Sequence, residues 1–165
     1  MDATQHQVHD KQHSLTAYLR FAAMLVLSFI AMYVLMYAMV DKFVDVYPNH
    51  NQAYMAALMT APMAIIEILL MGSMYPHKRA NLLIVVGAVV LLAAAWFAIR
   101  YQAAIDDEQF VKSMIPHHSG AILMCGGAKL QDAELQQLCS TISSGQQAEI
   151  DQMRAILGRL GGAPS

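Results

Sequence analysis

The residues best suited to chemistry in this chain fall in two stretches, Phe110 to Cys125 (FVKSMIPHHSGAILMC) and Gln146 to Met153 (QQAEIDQM). The first carries Met114, His117, His118, Met124 and Cys125; the second carries Gln146, Glu149 and Met153. Both read as helices, and a turn near Leu130 to Ala133 folds them back on each other as an antiparallel hairpin. That register sets Met114 opposite Glu149, His118 opposite Gln146, and Cys125 opposite Leu138 and Cys139. Thioether sulfur, two imidazoles and one carboxylate then converge on a single seam. Such a set could hold a metal ion.

The donor types narrow the metal. Thioether and imidazole together favour Cu(I), and Ag(I) by the same softness, whereas carboxylate and carbonyl oxygen would suit Mg or Ca. Zinc on His117, His118 and Glu149 is the harder alternative. Met114, His117 and Met124 share one helix face by their spacing, and His118 with Cys125 lies on the adjacent one. Glu149 can ligate directly or orient a histidine through its other ring nitrogen. A di-iron site would require several carboxylates with Glu-x-x-His spacing, and this seam supplies Glu149 alone. Cys125 and Cys139 have three readings: small buried residues, a disulfide outside the cell, or thiolate ligands.

The elements that must position these groups follow an apolar first half. Of 165 residues, 57% are hydrophobic and 13% charged, about half the usual charged fraction, with the excess apolar content before residue 104. The chain therefore reads as an all-α membrane protein with spans at about 17–40, 54–74 and 82–101. A three-helix transmembrane domain (15–104) precedes the hairpin (106–160). A polar tail at 1–14 carries His6, His9 and His13, either as plain tail or as a weak metal-scavenging tract. An alternative keeps the third span and the first hairpin helix continuous from Leu82 to Lys129.

Within the second span Met55, Met59, Met63, Glu67 and Met71 recur every fourth residue and form one stripe. A carboxylate inside a span is by default a pairing or functional group, so Met59, Met63 and Glu67 are subsidiary metal candidates. Their bland reading is methionine packing, with Glu67 protonated or bonded to a tyrosine hydroxyl. Asp106 to Glu108 and Asp132 suit helix starts, and Pro116 is expected to bend the first hairpin helix. Two such helices bury too little to stand alone, so packing against another subunit is expected. Lys11, Arg20, Lys78 and Arg79 put the N-terminus and second loop inside, and the hairpin outside. The expected location is a bacterial inner membrane, with the hairpin periplasmic or extracellular. A net charge of −2 without a large basic cluster argues against a nucleic-acid partner.

Phe110, Met114, His117, His118, Ala121 and Met124, followed by Leu138, Ile142, Gln146, Glu149, Ile150 and Met153, resemble the DUF305 family. The pattern is F-x-x-x-M-x-x-H-H-x-x-A-x-x-M, a gap, then L, I, Q and E-I-x-x-M, over about residues 106–157. The resemblance implies a membrane-anchored branch, with the hairpin as half of a ferritin-like bundle completed by oligomerisation. Soluble relatives include periplasmic copper-binding proteins, which implies that Met114, His117, His118, Met124, Glu149 and Met153 bind or frame copper. Cys125 and Cys139 depart from the small residues more usual at those positions, and so open a different ligand set.

Three functions compete. The first is a membrane-anchored Cu(I) or Ag(I) handler for tolerance, storage or delivery, with periplasmic metal-handling proteins as partners. The second is a homo-oligomerising structural protein whose His/Met seam is packing core. The third and weakest is an enzyme, since no nucleophile–base–acid set is legible.

Overall fold

A computed structural model describes the backbone of residues 3–161 and the side chains of 14–161. The described chain is all helical: α1 (Ala3–Leu35), α2 (His50–Leu70), α3 (Lys78–Arg100), α4 (Asp107–Gly127) and α5 (Ala133–Gly161). Short 3-10 turns lie at Met36–Met39, Phe43–Asp45 and Gly72–Met74. Three segments, Ser14–Met39, His50–Leu70 and Lys78–Arg100, are long and apolar enough to cross a membrane. The backbone of the polar N-terminal segment is already helical and continuous with the first span, since no Gly or Pro interrupts residues 3–35. The side chains of His6, His9 and His13 lie outside those described.

The chain divides into two compact units. Among the described residues, one comprises 3–33 and 54–103, the other 34–53 and 104–161. In the first, Phe21, Ala64, Ile68, Tyr75 and Ala88 form the buried cluster, with Met24, Leu25 and Ile84 packed around it. Ala56, Ala61, Ala64 and Thr60 are also buried on α2. Small residues let helix backbones approach, and Thr60 returns its hydroxyl to the Ala56 carbonyl at 2.8 Å, so no polar atom there is stranded. α2 runs through Pro62 and stops at Leu70, four residues short of the expected end. Glu67 therefore stands in the last turn of the helix, where the Tyr75 hydroxyl donates to it at 3.0 Å. Its carboxylate is answered by a tyrosine. Met55, Met59 and Met71 turn outward, at 39, 45 and 41% exposure.

In the second unit α4 and α5 form the expected antiparallel hairpin. Asp106 caps α4 by accepting from the Gln109 amide at 2.8 Å, and Asp132 does the same for Leu135 at 2.9 Å. Val111, Ile115 and Ile150 make its buried core, with Ile122, Met153, Ile156 and Leu157 packed around them. α3 and α4 are separate helices. Gln102 and Ala104 adopt left-handed φ values of 50° and 54° between them, which no continuous α-helix permits.

The loop at 34–53 belongs to this second unit. Tyr47 packs against the hairpin core, and Asp45 is only 3% exposed. Part of the cover assigned to another subunit is thus supplied by the chain itself. Pro116 helps to receive it. Proline has no N–H to return to the Lys112 carbonyl, and the buried Asn49 amide reaches that oxygen instead, at a long 3.5 Å.

Candidate functional site

His118 is engaged at both ring nitrogens on the hairpin seam. Its Nδ1 lies 2.8 Å from the Met114 carbonyl one turn back, and its Nε2 lies 2.8 Å from Glu149 Oε2 on α5. A carbonyl and a carboxylate are both acceptors, so the ring is bracketed by hydrogen-bond partners at its two nitrogens. The ring itself is nearly covered, at 12% side-chain exposure, while Glu149 is 56% exposed. Gln146 Nε2 donates to the same carboxylate oxygen at 3.4 Å.

The partner of His118 differs from the expected one, and the reason is geometric. Helical side chains lean toward their own N-terminus. In an antiparallel pair these leanings converge, so His118 tips toward higher numbers on α5 and Glu149 toward higher numbers on α4. Each meets the other about one turn beyond the backbone register. Glu149 therefore faces His118, and Met114 contributes its carbonyl.

The remaining candidates spread around this pair. His117 points outward, its ring 6.0 Å from that of His118 at 66° between planes. Met124 is 62% exposed, and Met114 is half-buried. Met153 is absorbed into the apolar core. Cys125 and Cys139 form a disulfide with a Cα–Cα distance of 5.2 Å. That agrees with the disulfide reading as to the bond itself, and bonded sulfurs are not thiolate ligands. Met59, Met63 and Glu67 belong to the other unit, with Glu67 already held by Tyr75. Among the described residues no group of three or more His, Cys, Asp or Glu side chains is placed to hold a metal.

Behind the histidines lies a buried network that the sequence analysis missed. Ser119 is fully buried; its hydroxyl donates to Asp45 Oδ2 at 2.8 Å and accepts from the Asp41 amide at 2.9 Å. Arg154 of α5 donates to the other Asp45 oxygen. Next to it, a Cβ on Gly120 would lie 3.2 Å from the Met39 carbonyl. The available signal was the small pair Ser119-Gly120 directly after two bulky imidazoles, which marks a place where backbone must come close.

Residues 98–164 match the family described as "Domain of unknown function (DUF305)". The chain is also 34% identical over 137 residues to an uncharacterized protein of Acanthamoeba polyphaga mimivirus, covering 81% of this chain and 88% of that one. An alignment of that length extends past the hairpin into the apolar helices. No solved structure matches the chain. With the family match over residues 98–164 and a relative aligned over 81% of the chain's length, the chain belongs to the DUF305 family.

Proposed function

We propose that this protein is a membrane-anchored binder of a soft monovalent cation, Cu(I) or Ag(I), acting in tolerance, storage or delivery. The observation that carries it is the His118–Glu149 pair, which brings an imidazole nitrogen on one helix and a carboxylate on the other within 2.8 Å, with the second ring nitrogen held by the Met114 carbonyl. The donor set fits such an ion: His118 and Glu149 would hold it, Met114 is the nearest thioether in sequence, and His117 and Met124 offer further soft donors on the exposed face. Bound there, the cation would replace a proton, so uptake should release protons and weaken as pH falls. Glu149 orients the imidazole whether or not it also ligates. Met153 has a packing role in this reading.

The outward side chains Phe110, His117 and Met124, with 51% and 62% exposure at the two apolar ones, support completion of the site by a second copy. In that arrangement the hairpin is half of a ferritin-like bundle. The charge distribution supports a hairpin on the outer side of a plasma membrane, where periplasmic metal-handling proteins could exchange ions with it.

Detergent-purified protein carrying Cys125→Ser and Cys139→Ser tests the reading, since no thiol then competes. Offered Cu(I), Ag(I) and Zn(II) anaerobically, it should bind one of the soft ions at least tenfold tighter than the same protein with His118→Ala or Glu149→Gln. Equal binding by all three proteins would overturn the proposal. An unchanged oligomer in metal-free buffer, with no binding, would leave the structural assembly function in its place.

A further inference from the structure

We infer that Cys125 and Cys139 form a second soft-cation site, separate from His118 and gated by oxidation state: closed as a disulfide, opened by an external dithiol. Their positions make the bridge more than a clasp. The turn they bracket, residues 128–132, is already fixed without it. The Ala128 amide donates to the Met124 carbonyl at 3.1 Å, Gln136 Nε2 to the Leu130 carbonyl at 2.8 Å, and Asp132 caps α5. The helices are held together farther along by Ile115 and Ile150, both fully buried. Opening the bridge therefore leaves two thiols on a scaffold that keeps them adjacent, and such preorganisation favours chelation.

The surroundings suit exchange. Both cysteines are half-buried beside an open recess lined by Lys129, Gln136, Ser140 and Ser143. These are polar neighbours, with one ammonium group that complements thiolate charge. Metal–sulfur bonds of about 2.3 Å would place two sulfurs in line about 4.6 Å apart. Side chains on Cα atoms 5.2 Å apart can span that separation by turning about χ1. Two thiolates in line suit Cu(I) or Ag(I).

The gating step is thiol–disulfide exchange. One thiolate of the dithiol attacks a protein sulfur, forms a mixed disulfide and expels the other cysteine as thiolate. The second thiol of the reductant then attacks its own sulfur in the mixed disulfide and expels the remaining cysteine. Two electrons pass to the protein, the reductant leaves as its disulfide, and the two protons go to the cysteines or, when a cation is bound, to water. This site does not depend on His118, so the two can be tested apart.

The experiment uses the full chain with His117→Ala and His118→Ala, in detergent, before and after dithiothreitol treatment and anaerobic desalting. The reduced protein should bind one more equivalent of Ag(I) than the oxidised one, and Ag(I) should protect both cysteines from iodoacetamide by mass spectrometry. A further Cys139→Ser change, leaving one thiol, should lose at least tenfold in Ag(I) affinity. Three results would each overturn the inference: no native-state reduction by the dithiol, full alkylation despite Ag(I), or equal affinity for one thiol and two.

Discussion

His118 holds an imidazole between two oxygen acceptors, and what Glu149 contributes there can be separated from what it does for the fold. Glu149 is more than half exposed, and an exposed ion pair is worth about 0–1 kcal/mol. Glu149→Gln should therefore leave the thermal midpoint within a few degrees while lowering cation affinity at least tenfold. A large loss of stability with unchanged binding would give Glu149 a structural role alone. Asp45 is the opposite case, since it is buried and its charge is matched by Arg154 and the Ser119 hydroxyl. Arg154→Met should destabilise the protein by about 3 kcal/mol, the lower end for a broken buried pair because Arg154 keeps 31% exposure. Chemical denaturation in detergent measures it. Tyr75 supplies a pH signature. Burial first, and then its hydrogen bond to Glu67, push its hydroxyl above the ordinary tyrosine range. A raised folded value stabilises the protein fully below the unfolded value and is lost as pH rises through the folded one. Stability should thus begin to fall above about pH 10, the ordinary tyrosine value, and Tyr75→Phe should remove that portion of the slope.

Among the elements, those with local signals were legible. Asp106 and Asp132 cap the hairpin helices as their positions suggest, and Gly127 and Gly161 stand at the last turns. The docking of the 34–53 loop was not legible, because it depends on contacts far apart in sequence: Asp45 with Arg154, Asn49 with Lys112, Asp41 with Ser119. No spacing rule announces such pairs. The His118 partner was misplaced for another reason, in that backbone register does not fix where leaning side chains meet. The left-handed residues after α3 were equally silent, since neither Gln102 nor Ala104 is a glycine. Two glycines make the loop contact testable. Gly145 sits inside α5 with open space around it, so Gly145→Ala should add about 1 kcal/mol through helix propensity. Gly120 lies against the Met39 carbonyl, and branched bulk there must displace the loop. Gly120→Val should cost about 1–3 kcal/mol, as overpacking does. If both variants were stabilised alike, the loop would not be packed on α4.

At the scale of the whole molecule, the charge count and the cysteines bear on one question, the side of the membrane that the hairpin occupies. Three helices can cross, and Lys78 with Arg79 gives the second loop its positive charge, against Lys42 alone in the first. An odd number of crossings places the termini on opposite sides, so a cytoplasmic N-terminus would put the hairpin outside. Disulfides persist where thiols are not kept reduced, which agrees with an outer location for Cys125–Cys139. The chain has two cysteines and both lie in the hairpin, so they report topology without an introduced cysteine. Intact cells should be treated with a membrane-impermeant phosphine, then with an impermeant maleimide. An outer hairpin takes two labels in intact cells and two in lysed cells. An inner hairpin takes none until lysis. Adding Lys78→Asn and Arg79→Asn weakens the positive loop, and the intact-cell label should fall as part of the population inverts. Labelling that ignores these two charges would mean that another feature, such as Arg20 or the helical polar N-terminus, sets the orientation.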